Sequence, residues 1–332
     1  MKLSWQLVRL NLKETFSIAY GNYSHRDALI VSLKEKDCTG YGECTGIDYY
    51  HINLNDFVLD LQRVQSDIER QTIIHPVEFY AFLLQLNLPI FLRSALDCAY
   101  WDVYGKLENR SFLELNSIAM HQLPESSITI SVDTIENQIE KIRQSNWTKF
   151  KVKCNHFNQD DILRLTEFDK AIALDSNGSF SQENCLWLQE NEMSSSFSYL
   201  EQPMQPGIGT YSILNAKGCA NWMADEDCQD VSVLNDLQPH YRSINVKVMK
   251  CGGLTPALDM ITQARQLGFN IMMGCMTEST VGISAGAVLA PLCDYADLDG
   301  ANLIANDIAK GNHVVNGKII LTEKPGLGIE FV

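Results

Sequence analysis

Runs of β-forming residues occupy the first 45 positions. Ala28-Leu29-Ile30-Val31-Ser32-Leu33 reads as a strand, Asp37-Cys38-Thr39-Gly40 as a turn, and Tyr41-Gly42-Glu43-Cys44 as the returning strand. An antiparallel sheet is therefore predicted at the start of the chain. Residues 13–27 are polar and aromatic and long for a plain turn, which predicts a mobile loop with a function. Over residues 55–109 the apolar period becomes helical. It is clearest where Leu96, Ala99 and Val103 share a face. Sheet then helices, before any β/α alternation, predicts a separate α+β unit.

From Ser127-Ile128-Thr129-Ile130-Ser131-Val132 onward short apolar runs alternate with amphipathic stretches. Asp133 or Thr134 caps the first helix, and Gly252-Gly253 precedes a helix over 257–267. Eight strand candidates follow from Ile128, ending at 296–299. Charged residues close the runs at Lys153, Asp175, Glu201, Asp225 and Lys247, at intervals of 22, 26, 24 and 22 residues. That interval holds one strand, one helix and two short loops. The pattern predicts an α/β fold: a (β/α)8 TIM-like barrel delivering one functional side chain per strand to a common mouth. Near the end, Asn316-Gly317 between Val314-Val315 and Ile319-Ile320-Leu321 marks a hairpin that has no place in a closed barrel. It is expected to pack back on the N-terminal unit. The predicted division is an α+β capping domain over 1–115, joined by 313–332, and a barrel over 116–312.

Composition narrows the partners. Net charge is −15, from 26 basic and 41 acidic residues. That disfavours nucleic acid and anionic membrane surfaces. No signal-peptide pattern opens the chain and no apolar run approaches a membrane span, so a cytoplasmic protein is expected. Ten cysteines are scattered singly and read as reduced thiols.

Strand geometry then places the candidate chemistry. In Phe150-Lys151-Val152-Lys153 the lysines share one face, which points into the barrel if the apolar pair meets the helices. The same alternation puts Asn245 with Lys247, and Asp297 with Asp299, inside. Asp175, Glu201 and Asp225 stand on three successive strand ends. One converging carboxylate per strand suits a hard cation, one Mg²⁺ per subunit. The alternative is that each is a solvated loop acid or helix cap. Lys153 and Lys247 fall on strands two and six, opposite each other across the mouth. Two such bases can remove a proton from one face of a carbon and return it to the other, given a lysine pKa lowered by the cation. Alternatively they only neutralise the acids.

The ordered run Lys-x-Lys, Asp-x-Asn, Glu-Gln-Pro, Ala-Asp-Glu and Asn-x-Lys-x-Met-Lys-Cys-Gly-Gly-Leu resembles the enolase superfamily, in its muconate-lactonizing branch, over essentially the whole chain. The resemblance implies Asp175, Glu201 and Asp225 as Mg²⁺ ligands, Lys153 and Lys247 as the acid/base pair, and Lys151 as the residue that steadies the substrate carboxylate. Asp297-Leu298-Asp299 resembles the Asp-x-Asp with which dipeptide epimerases bind a substrate's free ammonium group. The implied activity is epimerisation of a dipeptide at its C-terminal residue, L-Ala-D/L-Glu or another Ala-Xaa, as in cell-wall peptide metabolism, by a homo-oligomer. The alternatives are o-succinylbenzoate synthesis, N-acylamino acid racemisation, or an inactive metal- and dipeptide-binding protein. Family members acting on Ala-Glu often carry an arginine in the loop after the first strand. Here Tyr20 and Tyr23 stand in that region and Arg26 follows. Tyr20, Tyr23, Asp48, Tyr49, Tyr50 and His51 form either an aromatic lid or packing between cap and barrel. Thr129, Cys275 and Met276 are expected to line the mouth, and Glu278 to meet a lysine.

Overall fold

The computed structural model describes residues 1–332 except Tyr20 and His121. Three antiparallel strands open the chain: β1 (Lys2–Ile18), β2 (Gly21–Glu35) and β3 (Cys38–Thr45). Residues 13–27 are no plain loop. β1 continues to Ile18 and β2 starts at Gly21, so the two pair as a long hairpin, with a register shift between Asn11 and Phe16. The aromatic and β-branched residues there favour extended backbone, which a loop reading of their polarity misses. The arm crosses to the barrel, where Ser17 accepts a hydrogen bond from the Val132 amide at 2.9 Å and Lys13 reaches the Asn302 carbonyl at 2.7 Å.

Helices α1 (Leu54–Glu69), α2 (Pro76–Gln85) and α3 (Ile90–Glu108) pack behind this sheet. α3 approaches β3 closely because the strand presents Gly40 and Gly42 to Ala95 and Ala99. A Cβ at Gly42 would sit 1.9 Å from the Ala95 carbonyl oxygen. The substitution Gly42→Ala is therefore expected to cost about 3 kcal/mol in urea unfolding, as overpacking against backbone does. A change under about 0.5 kcal/mol would show that the sheet can move away from α3.

Eight parallel strands follow in strict sequence order: β4 (Ile128–Ile130), β5 (Lys149–Lys153), β6 (Ala171–Asp175), β7 (Leu200–Glu201), β8 (Trp222–Ala224), β9 (Ser243–Lys247), β10 (Asn270–Gly274) and β11 (Tyr295–Asp297). The sheet nearly closes, because Ser127 donates its amide to the Ala296 carbonyl at 3.0 Å beside a bridge between Ser126 and Ala296. Phe150, Val152, Leu174, Val246 and Ile271 face the helices in one continuous core. Ala173, Tyr199, Met223 and Met272 fill the inside. Thr134 caps the first barrel helix. The helix after Gly253 spans Leu254–Gln266, starting earlier than the sequence suggested, because Pro256 is accommodated in its first turn.

Buried acids of the cap fasten it to the barrel by meeting unpaired amides at helix starts. Asp97 accepts from the Thr255 amide and hydroxyl at 2.8 and 2.9 Å. Glu43 accepts from the Ser279 and Gly282 amides and the Ser279 hydroxyl, ahead of the helix Thr280–Ala287.

The C-terminal hairpin, β12 (His313–Val315) with β13 (Lys318–Ile320), forms around Asn316 and Gly317, both with positive φ. It does not return to the cap. Gly317 accepts from the Ser126 amide at 2.8 Å, and Val314 and Ile319 join the barrel core below β4. Only the residues after it reach the cap: Leu327 donates to Asp102, Ile329 accepts from Lys106, and Phe331 stacks on Tyr41. The hairpin's alternating apolar residues needed an apolar surface, and the barrel floor supplied it. Among the described residues no helix is long and apolar enough to cross a membrane.

Candidate active site at the barrel mouth

The C-terminal ends of the strands and the hairpin arm enclose one cavity. It is lined by Lys151, Lys153, Asp225, Lys247, Thr129, Cys275, Met276, Asp297 and Asp299 from the barrel, and by Tyr23, Arg26, Tyr49 and Tyr50 from the cap. Most of the residues singled out in the sequence therefore meet; Asp175, Glu201 and Glu278 do not line the cavity, and the first two pair with its lysines instead. Tyr20 lies outside the described residues. Asp48 and His51 are exposed and do not line this cavity. They sit on a single 3-10 turn that directs Tyr49 and Tyr50, not their own side chains, at the mouth.

The pleat aims both lysines of β5 inward, and each finds carboxylates. Lys153 Nζ bonds Asp175 Oδ2 at 2.5 Å and Asn177 Oδ1 at 3.1 Å. Lys151 Nζ lies 3.5 Å from Asp175, 3.4 Å from Glu201, and in close contact with Asp297. Across the ring Lys247 Nζ bonds Asp225 Oδ2 at 2.7 Å. Asp297 ends β11, but Asp299 has left the strand (φ −84°, ψ −2°) and starts a 3-10 turn. Its carboxylate still faces the cavity and accepts from the Thr129 amide at 2.6 Å. Strand alternation put the right residue inside for the wrong reason: a turn, not the pleat, directs it.

Three carboxylates on neighbouring strands repel one another. Burial, then Asp175 and Asp225, push Glu201 up to about 8. Burial opposes ionisation of Asp175 and Asp225 too, but their lysines outweigh it and hold both below the usual carboxylate range. Burial lowers the Lys247 pKa, yet Asp225 more than compensates and holds it above the ordinary value.

Among the described residues no three His, Cys, Asp or Glu side chains already surround a common point. Lysine ammonium groups stand among the acids instead. Two observations nevertheless fit a hard cation here. Glu201 Oε2 is buried and accepts no hydrogen bond, having only the Lys151 ammonium at 3.4 Å. Every donor on the three strand ends is a carboxylate oxygen.

Several supporting residues escaped the sequence reading. Lys250 is buried and holds Asp225 by Oδ1 and by its carbonyl, both at 2.5 Å, while reaching the Cys228 and Asn245 carbonyls. A second lysine three residues after Lys247 in an acidic chain was the available signal. Asn245 donates to Glu201 at 2.7 Å. Gln202 adopts φ 35° directly after Glu201 and accepts from the Asp225 and Asp227 amides, tying two carboxylate-bearing strand ends together. Glu278 meets no lysine by hydrogen bond. It accepts from the Met276 amide at 3.4 Å, and burial and Glu43 push it up to about 8. The helix start that the cap's Glu43 occupies places it there. Replacing Lys250 with Met should remove about 3 kcal/mol of stability in urea unfolding, since it strips a buried carboxylate of a partner. A loss under about 1 kcal/mol would mean that Lys247 suffices.

A (β/α)8 barrel that brings carboxylates and lysines from opposite strands onto one cavity has the architecture of a barrel enzyme. Comparison with known proteins makes this specific. Residues 134–332 match the enolase C-terminal domain-like family, and the chain belongs to it. It is 34% identical over 334 residues, 99% of each chain, to an L-Ala-D/L-amino acid epimerase of Maribacter sp.. Among solved structures it resembles an enolase family member from Agrobacterium tumefaciens with homology to dipeptide epimerases, with bound sodium and L-Ala-L-Glu (TM-score 0.86, 25% identity, 96% and 97% of the chains covered). A dipeptide epimerase from Methylococcus capsulatus complexed with Mg and L-Arg-D-Lys shares the fold (TM-score 0.87, 24% identity, 100% of both chains).

Proposed function

We propose that this protein is a Mg²⁺-dependent dipeptide epimerase, an isomerase that inverts the α-carbon of the C-terminal residue. The observation that carries this reading is the cavity itself: Lys153 and Lys247 enter it from strands two and six, with Asp297 at the end of its last strand and Asp299 on the turn that follows. A proton α to a carboxylate is very weakly acidic, and its removal leaves an enediolate. One lysine, as neutral amine, takes the proton from one face. The C–H electron pair passes into the carboxylate. The opposite lysine's ammonium returns a proton to the other face, and the two lysines end with exchanged protonation states. Lys151, set among carboxylates, is a fixed positive charge for the substrate carboxylate. Asp175, Glu201 and Asp225 would hold a divalent cation, which would supply positive charge to stabilise the enediolate.

Arg26 supports an acidic C-terminal residue. It is 5% exposed, its guanidinium lies 3.6 Å above the Tyr23 ring, and its Nε has no hydrogen-bond partner. No carboxylate of the described residues lies within ion-pair distance of it. A buried cation in a substrate cavity, with Asp48 acting on it only from beyond ion-pair distance, suits a substrate side chain that brings a carboxylate. We therefore place L-Ala-D/L-Glu first, with a role in cell-wall peptide turnover. The ten free cysteines support a cytoplasmic setting. An N-acylated substrate would leave Asp299 buried without a cation, which favours the free dipeptide.

The test is α-deuteration of a dipeptide library in D₂O with Mg²⁺, read by mass. Ala-Glu should gain one mass unit. No gain on any dipeptide would refute the reading. Arg26→Met should lower kcat/KM about 100-fold on Ala-Glu and under about threefold on Ala-Met, as loss of a charge-assisted side-chain contact predicts. Equal losses on both would remove Arg26 from specificity.

A further inference from the structure

We propose that Gln202 is a positioning residue that fixes the span between Asp175, Glu201 and Asp225, and so makes their site selective for a small hard cation. The proposal rests on the reading of those three carboxylates as the Mg²⁺ site.

Gln202 directly follows Glu201 at the end of β7, the middle one of the three strands that carry the acids. It is fully buried, and its φ of 35° lies in the left-handed region, where any residue but glycine is strained. Such a conformation persists only where the surroundings fix it, and here every polar group of the residue is engaged. Its carbonyl turns toward β6 and accepts from the Ser176 hydroxyl at 2.8 Å and the Gly178 amide at 2.7 Å, just past Asp175. Its backbone amide donates to the Met223 carbonyl on β8 at 2.9 Å. Oε1 accepts from the Asp225 and Asp227 amides at 3.1 and 3.2 Å. Nε2 donates to the Met204 carbonyl at 2.9 Å and to Asp227 Oδ2 at 2.8 Å. The side-chain amide thus fills all four of its hydrogen-bonding positions. One residue ties all three strand ends together. Lys250 and Asn245, by contrast, each hold a single one of the three carboxylates, Asp225 and Glu201 respectively.

Such a brace has work to do. The three acids repel one another, and the ladders that join their strands are short there: β7 pairs two residues with β6 and two with β8. Few backbone bonds resist a spreading of the strand ends, and Gln202 adds its own just where the carboxylates begin. Mg²⁺ accepts little departure from an octahedron of oxygens, whereas Ca²⁺ tolerates wider and irregular ligand sets. A fixed span therefore favours Mg²⁺, and loosening it costs Mg²⁺ far more than Ca²⁺. A residue that served folding alone would leave that preference unchanged.

The test is calorimetric titration of the metal-free protein with Mg²⁺ and with Ca²⁺ at pH 8, without substrate. Gln202→Met keeps the volume of the stem and removes both the acceptor and the donor. It should weaken Mg²⁺ binding about 30-fold and Ca²⁺ binding less than about threefold, so that the ratio of the two affinities falls about tenfold. Ser176→Ala cuts only one tie to β6 and keeps every charge. It should lower the ratio about threefold, and it decides the matter if Gln202→Met does not fold. The proposal is overturned if Gln202→Met leaves the ratio within about twofold of wild type, whatever happens to stability, or, failing that variant, if Ser176→Ala leaves it unchanged. Wild-type binding separates the two levels. If the wild-type protein binds no Mg²⁺, the metal reading falls and takes this proposal with it. If it binds Mg²⁺, only the variants decide.

Discussion

Replacing Lys247 or Lys153 with Met should each abolish epimerisation, lowering kcat by about 10⁴-fold, while leaving half of the chemistry intact. The two ammonium groups enter the cavity from β9 and β5, opposite positions in the ring. Each can reach one face of a bound α-carbon only. The variant that keeps Lys153 should still wash deuterium into one epimer of the dipeptide and not the other, and the variant that keeps Lys247 should show the reverse preference. Methionine keeps the stem packed, and Asp225 retains Lys250 when Lys247 is lost, so folding should survive. Deuteration of both epimers by a single-lysine variant would mean that one base serves both faces, and the two-base mechanism would be wrong.

Chelation should remove at least 10³-fold of activity, and added Mg²⁺ should restore it; Glu201→Gln should be lost to the same degree without rescue. The pH dependence of metal binding follows from the same carboxylate. Burial and its acidic neighbours push Glu201 up to about 8, above the ordinary range. Below that pH the metal-free protein holds a proton that a cation must displace. Mg²⁺ affinity should therefore rise about tenfold per pH unit up to about 8 and flatten above it. Calorimetry at pH 7 in buffers of different ionisation enthalpy should show close to one proton released per ion bound. Release of none, with affinity flat between pH 6 and 8, would mean that Glu201 is already ionised or is no ligand. Glu201→Gln should abolish the release whatever happens to turnover.

Much of this molecule can be read from local pattern. The intervals between Lys153, Asp175, Glu201, Asp225 and Lys247 encode a βα repeat, because strand, helix and loops occupy a fixed length of chain. The pleat then dictates that Lys151 and Lys153 share a face, and Phe150 and Val152 the other. The order of the strands in the ring follows from their order in sequence, so the opposition of Lys153 and Lys247 was legible as well.

Partnerships across the fold were not legible. Nothing local says that Asp297 meets a lysine two strands away while Asp299 meets Thr129. Period-two reasoning extended the last strand through Asp299, where the chain has already turned. The C-terminal hairpin was legible as a hairpin from Asn316-Gly317, but its apolar face had two candidate surfaces, and only packing chose the barrel floor. Lys250, Gln202 and Glu278 carry no periodic signal, since each is placed by what approaches it: a carboxylate and three carbonyls, two amides, a second acid from the cap. Arg26 shows the division most plainly. The sequence by itself determined a cation shortly after the first strand. Tertiary structure decided that it is buried, lies on Tyr23 and lines the cavity with its Nε unpartnered. Backbone propensity and hydrophobic period act over a few residues, and so they determine elements and faces. Charge pairing and desolvation depend on distances between residues remote in sequence, and those exist only once the cap has closed over the barrel.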